Sequence, residues 1–148
     1  MAAAANSLAE RAGDRHAQAQ AYNLLGLLAT SSGDVDGAVR HLRMSLAFAE
    51  QIDDLGARVA ALNNLALAHR ASGDLAEALR LTRAALEVCA RVGDRHREAA
   101  LNNNLADLLH DDGEPERAME HLKRAVSLFA EIGAAEGPQP EVWKLVQW

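Results

Sequence analysis

The sequence predicts an all-α repeat protein, a solenoid in which helix pairs stack side by side. The main observation is a period of 40 residues, and a fixed period of this size is typical of repeat architectures. The composition agrees, because alanine and leucine are abundant and aromatic residues make up only 3%, which favours helix. The residues that recur at this step are Asn23, Asn63 and Asn103; Leu25, Leu65 and Leu105; Gly33, Gly73 and Gly113; Ala38, Ala78 and Ala118; and Ile52, Val92 and Ile132.

The period divides the chain into repeats of two helices each. A Gly-Asp turn separates the helices, because glycine ends one helix in a left-handed conformation and aspartate caps the next. The predicted segments are 1–12, three repeats at 13–52, 53–92 and 93–132, a linker at 133–140 and a helix at 141–148. The predicted helices run from about 14 to 32, from the Asp34 cap to about 52, and then over about 55–72, 75–92, 95–111 and 115–132. Pro115 fits the first position of the last of these, where its missing N–H costs nothing.

The two ends of the chain each have two interpretations. Leu8 lies one period before Phe48, so residues 1–12 fit either a partial helix of an upstream repeat or a simple N-terminal extension. Residues 141–148 predict a short amphipathic helix whose largest apolar group is Trp143. Such a helix can cap the apolar flank of the last repeat, which has no neighbour, or it can serve as a tail that binds a partner.

Small residues at one position of each first helix predict close packing of the helix pairs. Gly26, Ala66 and Ala106 stand one period apart between apolar neighbours, so the second helix of each pair can approach closely there. Two polar residues interrupt the apolar pattern, Thr82 in a second helix and Asn102 in a first helix. Both are expected to weaken the packing.

Charge and cysteine content exclude several classes of function. The formal net charge of −6 argues against a nucleic-acid partner, which requires a basic surface. No apolar run is long enough to span a bilayer, so no membrane association is expected. The N-terminus lacks the basic flank and apolar core of a secretory signal, and Cys89 is the single cysteine. A reducing compartment, the cytoplasm, is therefore the expected location.

The repeat motifs resemble those of the tetratricopeptide-repeat (TPR) family. The motifs that carry the resemblance are Asn-Leu-Leu-Gly at 23–26, Asn-Leu-Ala at 64–66 and 104–106, the Gly-Asp turns, and the alanines at 38, 78 and 118. Repeats of 40 residues are similar to the long-repeat branch found in kinesin light chains and in adaptors whose repeats begin with Gly-Asp. The Trp-ending tail weakly resembles the C-terminal arrays of large actinobacterial regulators.

The resemblance implies a fold and a class of function. The fold is a right-handed TPR solenoid of three antiparallel helix pairs plus a C-terminal capping helix, with the first helices lining a concave groove. The implied function is binding of a protein or peptide segment, with no enzymatic activity. The alternatives are a self-association module forming homo-oligomers, and a C-terminal sensor arm of a larger regulator. The carboxylate clamp of chaperone-binding TPR domains is absent, because Asn23 and Leu27 stand where that clamp has lysine and asparagine.

The resemblance also gives the candidate residues of the groove. These are Asn23, Leu27, Asn63, Asn64, Leu67, Arg70, Asn103, Asn104, Asp107 and Asp111. An asparagine amide offers donors and an acceptor, so a ladder of asparagines can hold a peptide backbone; alternatively, some asparagines bond the neighbouring helix. The groove is apolar at its first end and acidic at its last. A ligand with an apolar part and a basic end would therefore suit it.

The sequence gives little support to metal or catalytic chemistry. Most of the six histidines recur at multiples of the period, so they lie on different repeats and cannot share an ion at distances of about 2.0–2.2 Å. His110 with Asp107 and Asp111 forms the one local set of ligand types, spaced at i−3 and i+1, and a metal site is not expected there. Cys89 is expected to be a packed, inert thiol. No metal, cofactor or catalytic residue is predicted.

Overall fold

Six α-helices and no strand make up residues 14–133, which are the residues that the computed structural model describes. The helices are α1 (Arg15–Ser31), α2 (Val35–Gln51), α3 (Leu55–Ala71), α4 (Leu75–Val92), α5 (Arg95–Asp111) and α6 (Pro115–Ile132). The predicted all-α fold is confirmed. The segments predicted at 1–12 and 141–148, and the linker after Gly133, lie outside the described residues.

Aspartate side chains cap the N-termini of the first five helices. Each carboxylate accepts a hydrogen bond from the backbone N–H three residues further on, at 2.9–3.2 Å. These bonds satisfy N–H groups that have no partner within the helix. The capping residues are Asp14, Asp34, Asp54, Asp74 and Asp94. Helix α6 has no side-chain cap and instead begins with Pro115, as the sequence predicts.

One turn lacks the glycine found in the others. The glycines at the helix ends adopt positive φ angles, for example 82° at Gly33 and 83° at Gly73. Between α2 and α3 the corresponding conformation is taken by Asp53, with a φ of 56°. Aspartate is one of the few residues that tolerate this region, because its short polar side chain can bond locally. The turn therefore forms although aspartate replaces the glycine of the Gly-Asp pair.

Close packing within the helix pairs follows from the small residues of the first helices. Ala66 and Ala106 are buried, as the sequence predicts. A Cβ atom built on Gly26 would lie 2.4 Å from Cγ of Leu42, so only glycine fits α1 against α2. The polar Thr82 is also fully buried, and its hydroxyl donates to the Ala78 carbonyl at 2.9 Å. This local bond satisfies the hydroxyl at a position where leucine would be expected.

The helices pack in sequence order, which places the first helix of each pair on a common side. The contacts within the pairs α1–α2, α3–α4 and α5–α6 are the most extensive, and α2 packs on α3 and α4 on α5. Helix α1 also contacts α3 directly, whereas α3 and α5 approach each other less closely. The surface shared by α1, α3 and α5 is called the first-helix face below. None of the helices in residues 14–133 is long and apolar enough to cross a membrane.

Candidate binding face

Asparagine side chains join the three helices of the first-helix face. Nδ2 of Asn64 donates to Oδ1 of Asn23 at 2.9 Å, which links α3 to α1. Nδ2 of Asn104 donates to Oδ1 of Asn63 at 2.8 Å, which links α5 to α3. All four residues are half-buried. Each asparagine uses only one donor or one acceptor in this ladder, and an amide has more of both.

Arg70 occupies the end of the face that the sequence suggested was acidic. Its Nε donates to Oδ2 of Asp111 at 2.8 Å, and NH2 lies 2.7 Å from the same oxygen. NH1 lies 3.7 Å from Oδ2 of Asp107. One guanidinium on α3 therefore bridges two carboxylates on α5, and the three charges sum to −1. The end predicted to be acidic therefore also contains a cation from the neighbouring repeat.

The remaining predicted residues differ in their exposure. The side chain of Leu27 is exposed, and Leu67 is half-buried at the equivalent position of α3. Asn103 is half-buried on α5 beside the ladder residue Asn104. Apolar surface is therefore available at the α1 end of the face, where Leu24 is also exposed.

Arg97 is a residue of this face that the sequence analysis missed. It lies in the first turn of α5, and its NH1 atom would be 3.2 Å from a Cβ built on Gly56 of α3. Two cavities of about 260 Å³ and 190 Å³ share Arg97 and Ala60 in their linings. The available signal was a departure from the repeat, because Arg97 stands where the other first helices have Ala17 and Ala57.

A histidine–carboxylate pair borders the larger cavity. Nδ1 of His16 on α1 lies 2.8 Å from Oδ2 of Asp54, the residue that caps α3. The pKa of Asp54 lies below its ordinary value, chiefly because the carboxylate accepts a hydrogen bond from the backbone N–H of Ala57. The bond to His16 lowers the pKa further, while partial burial opposes both effects. Asp54 therefore carries a negative charge at neutral pH.

Groups with other possible chemistry are accounted for by packing. Cys89 is buried, and burial raises the pKa of its thiol, so the reactive thiolate is disfavoured. Within residues 14–133, no three His, Cys, Asp or Glu side chains are arranged so that they could hold a metal ion. The buried Asn102 donates to the Glu98 carbonyl at 2.9 Å and accepts from Nδ1 of His121 at 2.9 Å.

The helix pairs and the polar ladder define an all-α repeat protein, and sequence comparison identifies its family. Residues 58–131 match a family model described as tetratricopeptide repeat, and residues 18–52 match a second model with the same description. The first match alone covers half of the chain, 74 of 148 residues. The chain belongs to the TPR family. No curated protein sequence matches it significantly.

Solved structures of TPR proteins share the fold. The TPR domain of Arabidopsis FLU has a TM-score of 0.74 at 14% identity, over 79% of this chain and 98% of that one. A kinesin light chain from Podosopora anserina with nearly identical TPR-like repeats has a TM-score of 0.69 at 23% identity. The match covers 82% of this chain and 59% of that one. A STAND ATPase from Pyrococcus horikoshii with a tetratricopeptide repeat sensor has a TM-score of 0.74 at 19% identity. The match covers 82% of this chain and 19% of that one. The chain therefore spans only part of the last two proteins. TPR folds generally mediate protein–protein interactions and are generally not enzymes.

Proposed function

We propose that the chain binds an extended segment of a partner protein on its first-helix face, which is the concave groove of the TPR fold. The observation that carries the proposal is the asparagine ladder. It places half-buried amides on the first helices of three successive repeats. A peptide backbone needs both donors and acceptors along its length, and the ladder amides retain both. Backbone recognition of this kind is largely independent of the partner's side chains.

The two ends of the face suit different parts of the segment. Exposed Leu27 and half-buried Leu67 can contact apolar side chains of the partner. At the other end, the carboxylates of Asp107 and Asp111 lie against the guanidinium of Arg70. Carboxylates at that end favour a basic group of the partner. The expected ligand therefore has an apolar part and a basic end.

The double variant Asn64→Ala, Asn104→Ala tests the proposal. A peptide selected from a random phage-displayed library against the wild-type chain serves as the ligand, and its affinity is measured by isothermal titration calorimetry. Each lost hydrogen bond should weaken binding by about 0.5–1.5 kcal/mol, so the double variant should bind roughly ten- to a hundredfold more weakly.

The controls separate binding from folding. Each substitution also removes one inter-helix bond, so the variant should be less stable but still folded, which circular dichroism checks. Arg83→Ala, an exposed change on α4 away from the first-helix face, should leave the affinity unchanged. Full affinity of the double variant, or a comparable loss in Arg83→Ala, would contradict the proposal. If the library yields no binding peptide, the groove is not a peptide site.

Self-association is the second candidate function, and the open flank of α1 favours it. Leu28 is 56% exposed, whereas Leu108 at the equivalent position of α5 is 3% exposed. Leu24 is 48% exposed on the same side of α1. In α3 the equivalent residues, Asn64 and Ala68, are covered by the preceding helix pair. A second copy of the chain could cover the same side of α1, and a strictly monomeric chain at high concentration in sedimentation experiments would exclude this function.

A sensor arm of a larger regulator is a more specific form of the binding function. Its support is the STAND ATPase from Pyrococcus horikoshii, whose tetratricopeptide repeats are described as a sensor. An antibody against this chain would report the length of the native protein on an immunoblot. A native protein of 148 residues would contradict the sensor-arm proposal, and a much larger one would support it.

A further inference from the structure

The smaller of the two cavities on the first-helix face has an unusual charge environment. It lies between α3 and α5, has a volume of about 190 Å³, and is large enough for one side chain. Its apolar floor includes Val59 and Leu101, which are almost completely buried. Among the described residues that line it, only Arg97 is charged. The polar remainder of the lining consists of the amides of Asn63 and Asn64.

The hydrogen bonds already made by these lining residues leave several of their N–H donors unused. Arg97 donates from NH1 to Asp94 at 3.0 Å, and no other acceptor in residues 14–133 is bonded to its side chain. A guanidinium has five N–H donors, so most of them remain for a ligand. Asn63 uses its carbonyl oxygen to accept from Asn104. Its NH₂ group is therefore the part of the amide that can serve a ligand.

The pair with Asp94 does not satisfy the charge of Arg97. The two residues are three apart in the first turn of α5, and the Arg97 side chain is 47% exposed. Exposed pairs of this kind contribute little, so the guanidinium can accept a second carboxylate. Arg70 shows such sharing in this same protein, because it lies against both Asp107 and Asp111. Asp54, the other acid nearby, lines the larger cavity and is bonded to His16.

We infer that the cavity between α3 and α5 is a carboxylate subsite, in which Arg97 and the Asn63 amide hold one carboxylate of the bound segment. This inference rests on the proposed function, because the subsite forms part of the same face. The carboxylate belongs either to an aspartate or glutamate side chain within the segment or to its C-terminus. Gly56 leaves space for the guanidinium over α3, since a Cβ atom there would lie only 3.2 Å from NH1 of Arg97.

Small carboxylates test the subsite without knowledge of the partner. The ¹⁵N-labelled chain is titrated with N-acetylglutamate α-amide, with the isosteric N-acetylglutamine α-amide as the neutral control. The acidic probe should shift the Asn63 side-chain amide and the Arg97 Nε–H resonances saturably, and the neutral probe should not. N-acetylalanine, which carries only a terminal carboxylate, separates the two sources. Stronger binding of N-acetylalanine assigns the subsite to a C-terminus, and stronger binding of the glutamate probe to an internal acidic residue.

A matched pair of variants assigns the effect to Arg97. Arg97→Gln should weaken binding of the acidic probe at least about tenfold, since it removes charge-assisted hydrogen bonds. Arg95→Gln makes the same charge change in the same turn, where Arg95 is paired with Glu131 on α6, and should leave binding unchanged. Equal shifts from the acidic and neutral probes, or equal losses in the two variants, would overturn the inference.

Failure of the subsite and failure of the proposed function give different results. If selected peptides bind the face but show no enrichment of acidic residues, and Arg97→Gln leaves their affinity unchanged, the subsite is wrong and the peptide groove stands. If the glutamate probe binds at Arg97 but no peptide is selected, the groove proposal is wrong, and Arg97 binds free carboxylates rather than a carboxylate of a bound segment.

Discussion

At the scale of single residues, one pair of equivalent positions is filled by different chemistry in each helix pair. The third pair is polar, with an asparagine that accepts a hydrogen bond from a histidine at 2.9 Å. The first is an aromatic stack, and the two leucines of the second belong to the apolar core. The equivalent residues are Tyr22 and His41, Leu62 and Leu81, and Asn102 and His121. Asn102 was expected to weaken the packing, and its hydrogen bonds to the Glu98 carbonyl and to His121 satisfy its buried amide.

This pair gives a prediction about pH. Burial lowers the pKa of His121 below its ordinary value of 6.5, and nearby Arg117 acts in the same direction. The folded chain therefore favours the neutral imidazole, and this stabilisation is complete above pH 6.5 and is lost as the pH falls below 6.5 toward the lower folded pKa. Asn102→Leu, His121→Leu copies the leucine pair of α3 and α4. It should abolish this part of the pH dependence.

Urea unfolding at pH 5.5 and pH 7.5 measures both effects. The single variant Asn102→Leu should lose about 1–3 kcal/mol, because it leaves the His121 donor without its acceptor. The double variant should be near wild type or more stable at pH 7.5, since replacing both partners by apolar groups can be neutral or favourable. A double variant that keeps the wild-type difference between the two pH values would show that His121 does not cause it.

At the scale of helices, the small residues of the first helices control how closely each pair packs. Ala106 on α5 is completely buried. The equivalent Gly26 has no room even for a methyl group beside Leu42. Ala106→Leu should therefore overpack the contact of α5 with α6 and cost about 1–3 kcal/mol. Ala76→Leu, on an exposed position of α4, is the control. Thermal melting that gives both variants the same midpoint would show that Ala106 does not set the helix separation.

At the scale of the whole molecule, the exposed apolar flank of α1 allows a test of the self-association proposal. The variant Leu24→Asn, Leu28→Ala gives α1 the residues that α3 carries at the equivalent positions, Asn64 and Ala68. If a second copy covers this flank, the wild-type chain should self-associate, and the variant should not, because the apolar area available for burial is removed. Sedimentation velocity over a range of concentrations measures the change.

A second exposed apolar residue provides the control for this experiment. Met44 on α2 is 43% exposed, and the equivalent position of α4 is Ala84. Met44→Ala likewise introduces the residue found at the equivalent position of another repeat, and it removes apolar surface from α2 instead of α1. It should leave self-association unchanged. Equal loss of self-association in both variants would indicate nonspecific association through apolar surface. Unchanged self-association of the α1 variant would place the interface elsewhere.

Local and periodic features of the fold could be predicted from the sequence. Helix ends depend on residues close in the chain, so the caps at Asp34, Asp74 and Asp94 and the start at Pro115 were predicted correctly. Burial of Ala66 and Ala106 followed from the repeat. The conformation of Asp53 could not be predicted in this way, because the turn persists without the glycine that usually signals it.

The sequence by itself determined the all-α class, the paired helices and the family. These depend on motifs within each repeat and on the 40-residue spacing between repeats, and both can be seen in the sequence. Only the tertiary structure decided how polar side chains meet between repeats. The hydrogen-bond partners of Asn64, Asn104 and Arg70 lie 41 residues away in each case, and the direction of a side chain across a groove depends on the separation and tilt of two helices. The position of Arg97 over Gly56 has the same origin. It needed a missing side chain on one helix and a long one on the next.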